Sequence, residues 1–140
     1  MKEMSSRPYI VRNWKWILGY GFLVLAGSFV LFFMTTCAWI GFSVKEKCKT
    51  AREQYGGSCV EALMLYLEDE AGHSLVERNG VVWALGQIGD ERALPLLKKY
   101  YTGEECQHDK FLCQWELEKA IKLTEGGFNA TAWMWKNNLD

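Results

Sequence analysis

Between Lys15 and Lys45 the chain has no charged residue at all. The gap, WILGYGFLVLAGSFVLFFMTTCAWIGFSV, runs for 29 residues, from 16 to 44. So long an apolar run exceeds what the core helix of a soluble protein uses. About 20 such residues cross a bilayer core of roughly 30 Å, so the segment predicts a transmembrane helix over 16–44 with length to spare. Trp14, Trp16 and Tyr20 stand at one end and Trp39 and Phe42 at the other, where amphipathic rings prefer the headgroup level. A cleaved signal sequence fits poorly, because its apolar region is only about 7–15 residues long and a small-x-small site should follow. A lipid-modified Cys37 fits no better, since no small residue precedes it in FMTTC.

Other absences narrow the remainder. After the span there is one proline, Pro95, and almost no alternation of the kind strands show. Neither histidine, His73 or His108, sits in a nucleophile motif, and GxSxG, P-loop and HExxH patterns are all missing. No catalytic residue, cofactor or metal site is expected. His108 does fall between two cysteines in CQHDKFLC, yet no second closely spaced ligand pair accompanies it. A pI near 6.1 without a basic stripe makes nucleic acid an unsuitable partner. Charge is also uninformative about orientation: Lys2, Arg7, Arg12 and Lys15 precede the span, and Lys45, Lys47, Lys49 and Arg52 follow it.

Cysteine spacing says more. Cys37 lies inside the span, where a buried inert thiol is expected. Cys48 and Cys59 form one close pair and Cys106 and Cys113 another. An even number grouped in short loops of a small domain suits disulfides in an oxidising compartment. Each bridge would add about 3 kcal/mol by restricting the unfolded chain. That places the C-terminal domain outside the cytoplasm, periplasmic or extracellular, with the N-terminus inside. A thiol oxidoreductase generally carries its cysteines closer together at a helix N-terminus.

The remaining residues carry helical periodicity. From Ser58 the apolar positions are Val60, Leu63, Met64 and Leu67. In HSLVERNGVVWALGQIG they are Leu75, Val82, Leu85 and Ile88, at steps that share one face. Gly89 predicts the stop of that helix and Asp90 the cap of the next, ERALPLLKKYY, with Pro95 in its first turn. A last helix, DKFLCQWELEKAIKLTE, presents Phe111, Leu112, Trp115, Ala120 and Ile121 and ends at Gly126–Gly127. KEKCKTAREQYGG reads as a short connecting helix or turn. The two halves align, Ala62 with Ala93 and Leu63 with Leu94, then Ala84 with Ala120 and Leu85 with Ile121. The offset grows across GEECQHDKFLC, an enlarged loop in the second copy. A repeat of about 30–35 residues with two helices each is an α-solenoid pattern.

Residues 78–97, RNGVVWALGQIGDERALPLL, resemble a HEAT-like repeat of the phycobilisome-lyase type. Its pattern is a helix ending in A-L-G-x-[IL]-G-D, followed by an A-[LV]-P-x-L helix. Ala84, Leu85, Gly86, Ile88, Gly89, Asp90, Ala93, Leu94, Pro95 and Leu97 match it. The resemblance implies an all-α fold, a small solenoid of about two helical pairs behind the membrane helix. It does not carry bilin-lyase activity across, because only structural positions match.

The expected organisation is an N-terminal tail over 1–15, a transmembrane helix over 16–44, a connecting segment over 45–57, helical repeats over 58–127 and an aromatic segment over 128–140. That last segment, with Phe128, Trp133, Met134 and Trp135 behind a Gly-Gly hinge, reads either as a terminal cap or as a contact surface for a partner or a lipid interface. A short solenoid has two open ends, and seven tryptophans are more than so small a core needs. The expectation is therefore a non-catalytic accessory, assembly or scaffold subunit of a membrane protein complex, whose partners are other subunits and the bilayer. The alternative is a membrane-tethered lyase-like or thiol-redox factor working through the extracytoplasmic cysteines.

Overall fold

The computed structural model describes residues 9–107 and 110–139. It is all-helical: among the described residues there are five α-helices and no strand. The chain divides into two units, Met1–Thr36 and Cys37–Asp140.

The first helix, α1, runs Tyr9–Tyr55. Between residues 13 and 36 nearly all its side chains are exposed and none is buried. Trp16, Phe22, Leu25, Phe29 and Phe32 are all exposed, and none of its most apolar window is buried. By length and composition this is a helix able to cross a membrane. Its two adjacent threonines bond back to their own helix. Thr35 Oγ1 donates to the carbonyls of Leu31 and Phe32, and Thr36 Oγ1 donates to Phe32, which removes the cost of an unpartnered O–H in an apolar medium.

In the second unit the same helix becomes one-sided. Cys37, Gly41, Val44, Cys48 and Ala51 are buried, and Ile40 and Tyr55 are half-buried. These residues recur at steps of three and four, the spacing of one helix face. KEKCKTAREQY, read as a short connecting helix or turn, is the continuation of α1 to Tyr55. The chain then reverses through Gly56 and Gly57, both at positive φ (70° and 75°), a backbone region that glycine enters without penalty.

The repeat follows as α2 (Cys59–Glu68), α3 (Leu75–Ile88), α4 (Leu94–Tyr100) and α5 (Gln114–Thr124). Capping boxes start the first two. Ser58 caps the Glu61 N–H while Glu61 reaches back to the Ser58 N–H, and Ser74 and Glu77 do the same one helix later. Gly89 ends α3 in the left-handed region at φ 59°. Asp90 then caps a 3₁₀ turn, Glu91–Ala93, by accepting from the Arg92 N–H at 2.9 Å, and Pro95 falls in the first turn of α4.

The aligned positions share an environment. Ala62, Ala93, Ala84, Ala120, Leu63, Leu85 and Ile121 are all buried, and Leu94 is half-buried. α3 packs most extensively on α5. A Cβ added to Gly86 would lie 2.7 Å from Ala120 Cα, so the contact relies on small residues on both helices. One periodicity reading is corrected. α5 starts at Gln114 rather than at Asp109, which lies outside the described residues. Phe111 is left in the preceding loop and Trp115 on the outer face, both exposed, while Leu112 and Leu117 take the inner positions.

Two polar side chains hold the hairpins shut. Arg78 is buried on α3. Its Nε donates to the Leu67 carbonyl at 2.9 Å and its Nη2 to Glu70 at 3.0 Å, answering a carbonyl that the end of α2 would otherwise leave open. Gln114, also buried, accepts from the Thr102 N–H at 2.7 Å and donates to the carbonyls of Tyr100 and Leu112. It fastens the enlarged loop of the second hairpin to the start of α5.

Candidate functional site

Three titratable side chains, Tyr55, Asp69 and His73, meet where α1 reaches the α2–α3 turn. Tyr55 OH donates to Asp69 Oδ2 at 2.7 Å and lies 2.9 Å from His73 Nε2. The phenol has one proton and gives it to the carboxylate, so His73 Nε2 must be the donor in the second contact. His73 stacks on Tyr66 with centroids 3.5 Å apart, and Asp69 Oδ1 accepts from the Gly72 N–H at 2.8 Å. The hydrogen bond to Asp69 pushes Tyr55 up to about 12, while the same bond and the Gly72 N–H hold Asp69 below the usual carboxylate range. Neither group is poised to exchange a proton near neutral pH. The cluster is a clamp between α1 and the first turn of the repeat.

This clamp has a pH dependence. The folded pKa of Asp69 is lower than its unfolded value, so the stability it contributes is present above about pH 4 and is lost as pH falls through the lowered value. Glu61 and Glu77, each bonded by its capping serine, and Asp90, bonded by Arg92, are lowered in the same sense. The thermal midpoint of the full chain in detergent should therefore fall between neutral pH and about pH 3. Asp69→Asn should weaken that dependence. A midpoint flat across the range would show that these carboxylates contribute nothing.

The cysteines differ in state. Cys48 on α1 and Cys59 at the start of α2 form a disulfide with Cα atoms 4.9 Å apart. Cys106 and Cys113 are unbonded thiols whose sulfurs lie 2.7 Å apart. The bond from Cys113, with the Trp115 N–H at 3.3 Å, holds the Cys106 thiol below its ordinary value, while burial pushes Cys113 up. Asn79 on α3 accepts from the Cys113 N–H at 2.8 Å, so the partly buried end of this loop is anchored across the hairpin. Cys37 is a buried free thiol. His108 lies outside the described residues. Among those described, no three His, Cys, Asp or Glu side chains gather as metal ligands would.

The aromatic segment splits in two. Phe128 is 90% exposed and Trp133 68% exposed, whereas Trp135 is only 5% exposed and Met134 is half-buried. Trp135 is thereby corrected from a contact residue to a core residue. Its ring lies on α1 where Gly41 leaves room, and a Cβ on Gly41 would come within 2.7 Å of it. Sequence reasoning missed this pairing, as it missed the clamp and Arg78. The two S-x-x-E capping boxes, also missed, had an unambiguous local signal.

The protein-family model for the PBS lyase HEAT-like repeat matches residues 77–102, which cover most of α3, the 3₁₀ turn and α4. No curated protein and no solved structure matches the chain. The matched stretch supports protein–protein contact as the general use of the domain, and its residues are those that build the helix–turn–helix core.

Proposed function

We propose that this protein is a non-catalytic, single-span accessory or scaffold subunit of a membrane complex, which presents a short HEAT-like domain outside the cytoplasm to other subunits. The observation that carries this reading is the outward-facing stretch of α1. Residues 16 to 36 number 21, precede the packed unit and face outward on all sides. At 1.5 Å per residue they extend about 31 Å, the thickness of a bilayer core. The eight further uncharged residues, 37 to 44, are the length to spare, and one face of them, Cys37, Gly41 and Val44, is buried in the domain. The proposed organisation is thus a tail before 16, a span over 16–36, a domain from 37 that includes the last turns of α1, and the aromatic segment after 127.

The orientation rests on the cysteines. The Cys48–Cys59 bridge suits an oxidising compartment, and we extend this to a second bridge between Cys106 and Cys113, whose sulfurs are already in contact. Phe128 and Trp133 are the aromatic-segment residues with surface free for contact. Peptide mapping without reduction, from native membranes, should recover both bridges. Four freely alkylated thiols would remove the bridges and the argument for an extracytoplasmic domain. The thiol-redox alternative has one feature in its favour, the lowered pKa of Cys106 beside Cys113; it predicts that this pair alone is found in mixed disulfides. For the subunit reading, the test is purification of the full chain in mild detergent. A stoichiometric companion is expected, and a lone monomer at low concentration would end the idea.

A further inference from the structure

Trp135 fixes the end of the chain to a definite level of α1. It lies against Gly41, and Leu139 lies with Lys45, Cys48, Lys49, Arg52 and Glu53. Trp135 and Leu139 thus both lie along the domain part of α1, at the levels of Gly41 and of Lys45 to Glu53. If the hydrocarbon ends at Thr36, Gly41 is five residues past it, about 7 Å. That is the depth of the headgroup layer, since the polar regions add about 5–8 Å on each side of the core. Trp133 is two residues from Trp135 and so at most about 7 Å away along the chain.

We infer that the segment around Trp133 is a second membrane contact of the domain: Trp133, Trp39 and Phe42 together occupy the lipid headgroup interface. Trp39 and Phe42 are each 67% exposed on the face of α1 turned away from the domain. Trp133 supplies the same kind of ring from the domain side. Residues 126 to 135, GGFNATAWMW, contain no charge, so bringing them to the interface desolvates no ion. Lys45 and Lys136 are exposed near that level and bring ammonium groups toward lipid phosphates. Trp is the residue that most favours this layer, with an apolar body and one N–H for the wet side. Two contacts separated around the helix would fix the tilt of the domain on the membrane, which a single span leaves free to rotate.

The inference depends on the span reading, and the test separates the two. The full chain is labelled with 5-fluorotryptophan and placed in phosphatidylcholine nanodiscs. Its ¹⁹F resonances are assigned by single Trp→Phe substitutions, including Trp133→Phe and Trp16→Phe. Phosphatidylcholine spin-labelled near the headgroup is then added. Trp16, Trp39 and Trp133 should broaden, and Trp83 and Trp115 should not. Broadening of Trp16 without Trp133 overturns the inference and leaves the span intact. If neither broadens, both fall. If Trp133 is instead bleached only by a water-soluble gadolinium chelate, its ring is a free surface awaiting a protein partner, which also overturns the lipid assignment.

Discussion

Leu85→Ala should lower the stability of the repeat domain by about 2–5 kcal/mol, the range for truncating a buried leucine. Leu85 is wholly buried on α3, next to Gly86, where α3 and α5 come within contact of backbone on Ala120. Helices held that close by small residues cannot collapse further to fill a void, so the upper part of the range applies. Domains of about this size have only about 5–15 kcal/mol in total, and each kcal/mol moves the melting midpoint by about 4–8 °C. The measurement is a near-ultraviolet circular dichroism melt of the full chain in detergent, because the outward-facing part of α1 keeps its far-ultraviolet signal after the domain has opened. A midpoint within a degree or two of wild type would mean that Leu85 does not fill the interior between the helices.

How far the sequence discloses this arrangement depends on how local each feature is. The turn between α3 and α4 is readable residue by residue, because Gly89 at φ 59° and the Asp90 cap are decided by near neighbours. The core faces of α2 and α3 follow from spacing alone. The continuation of α1 to Tyr55 is hidden by composition: KEKCKTAREQY is charged enough to look like a linker. Its Cys48, Ala51 and Tyr55 nevertheless extend the face begun by Cys37, Gly41 and Val44, and reading periodicity across the loss of hydrophobicity would have found it. Phe111 and Trp115 show the reverse error. Size and apolar character put them on the inner face, but α5 begins later and its phase places them outside. Arg78 has no sequence signal, since its partner is a backbone carbonyl at the end of another helix. The clamp of Tyr55, Asp69 and His73 likewise needs a fold before its members can meet.

Trp135→Ala should cost about 3–5 kcal/mol, while Trp135→Phe should be close to neutral. The large loss follows from burial: the ring is 5% exposed and lies where Gly41 thins α1 to admit it. The small one follows from chemistry. Nε1 of Trp135 is buried and has no hydrogen-bond partner among the described residues, and an N–H in that condition costs about 1–3 kcal/mol. Phenylalanine gives up some apolar area and also removes that penalty, so the two effects offset. Gly41→Leu tests the same contact from the other side. Its first atom would already stand 2.7 Å from the Trp135 ring, and overpacking of this kind costs about 1–3 kcal/mol. Chemical denaturation of the three variants in detergent, followed by near-ultraviolet dichroism, orders them. If Trp135→Ala behaves like a surface substitution, the end of the chain is not docked on α1, and Trp135 returns to the set of residues free to contact a partner.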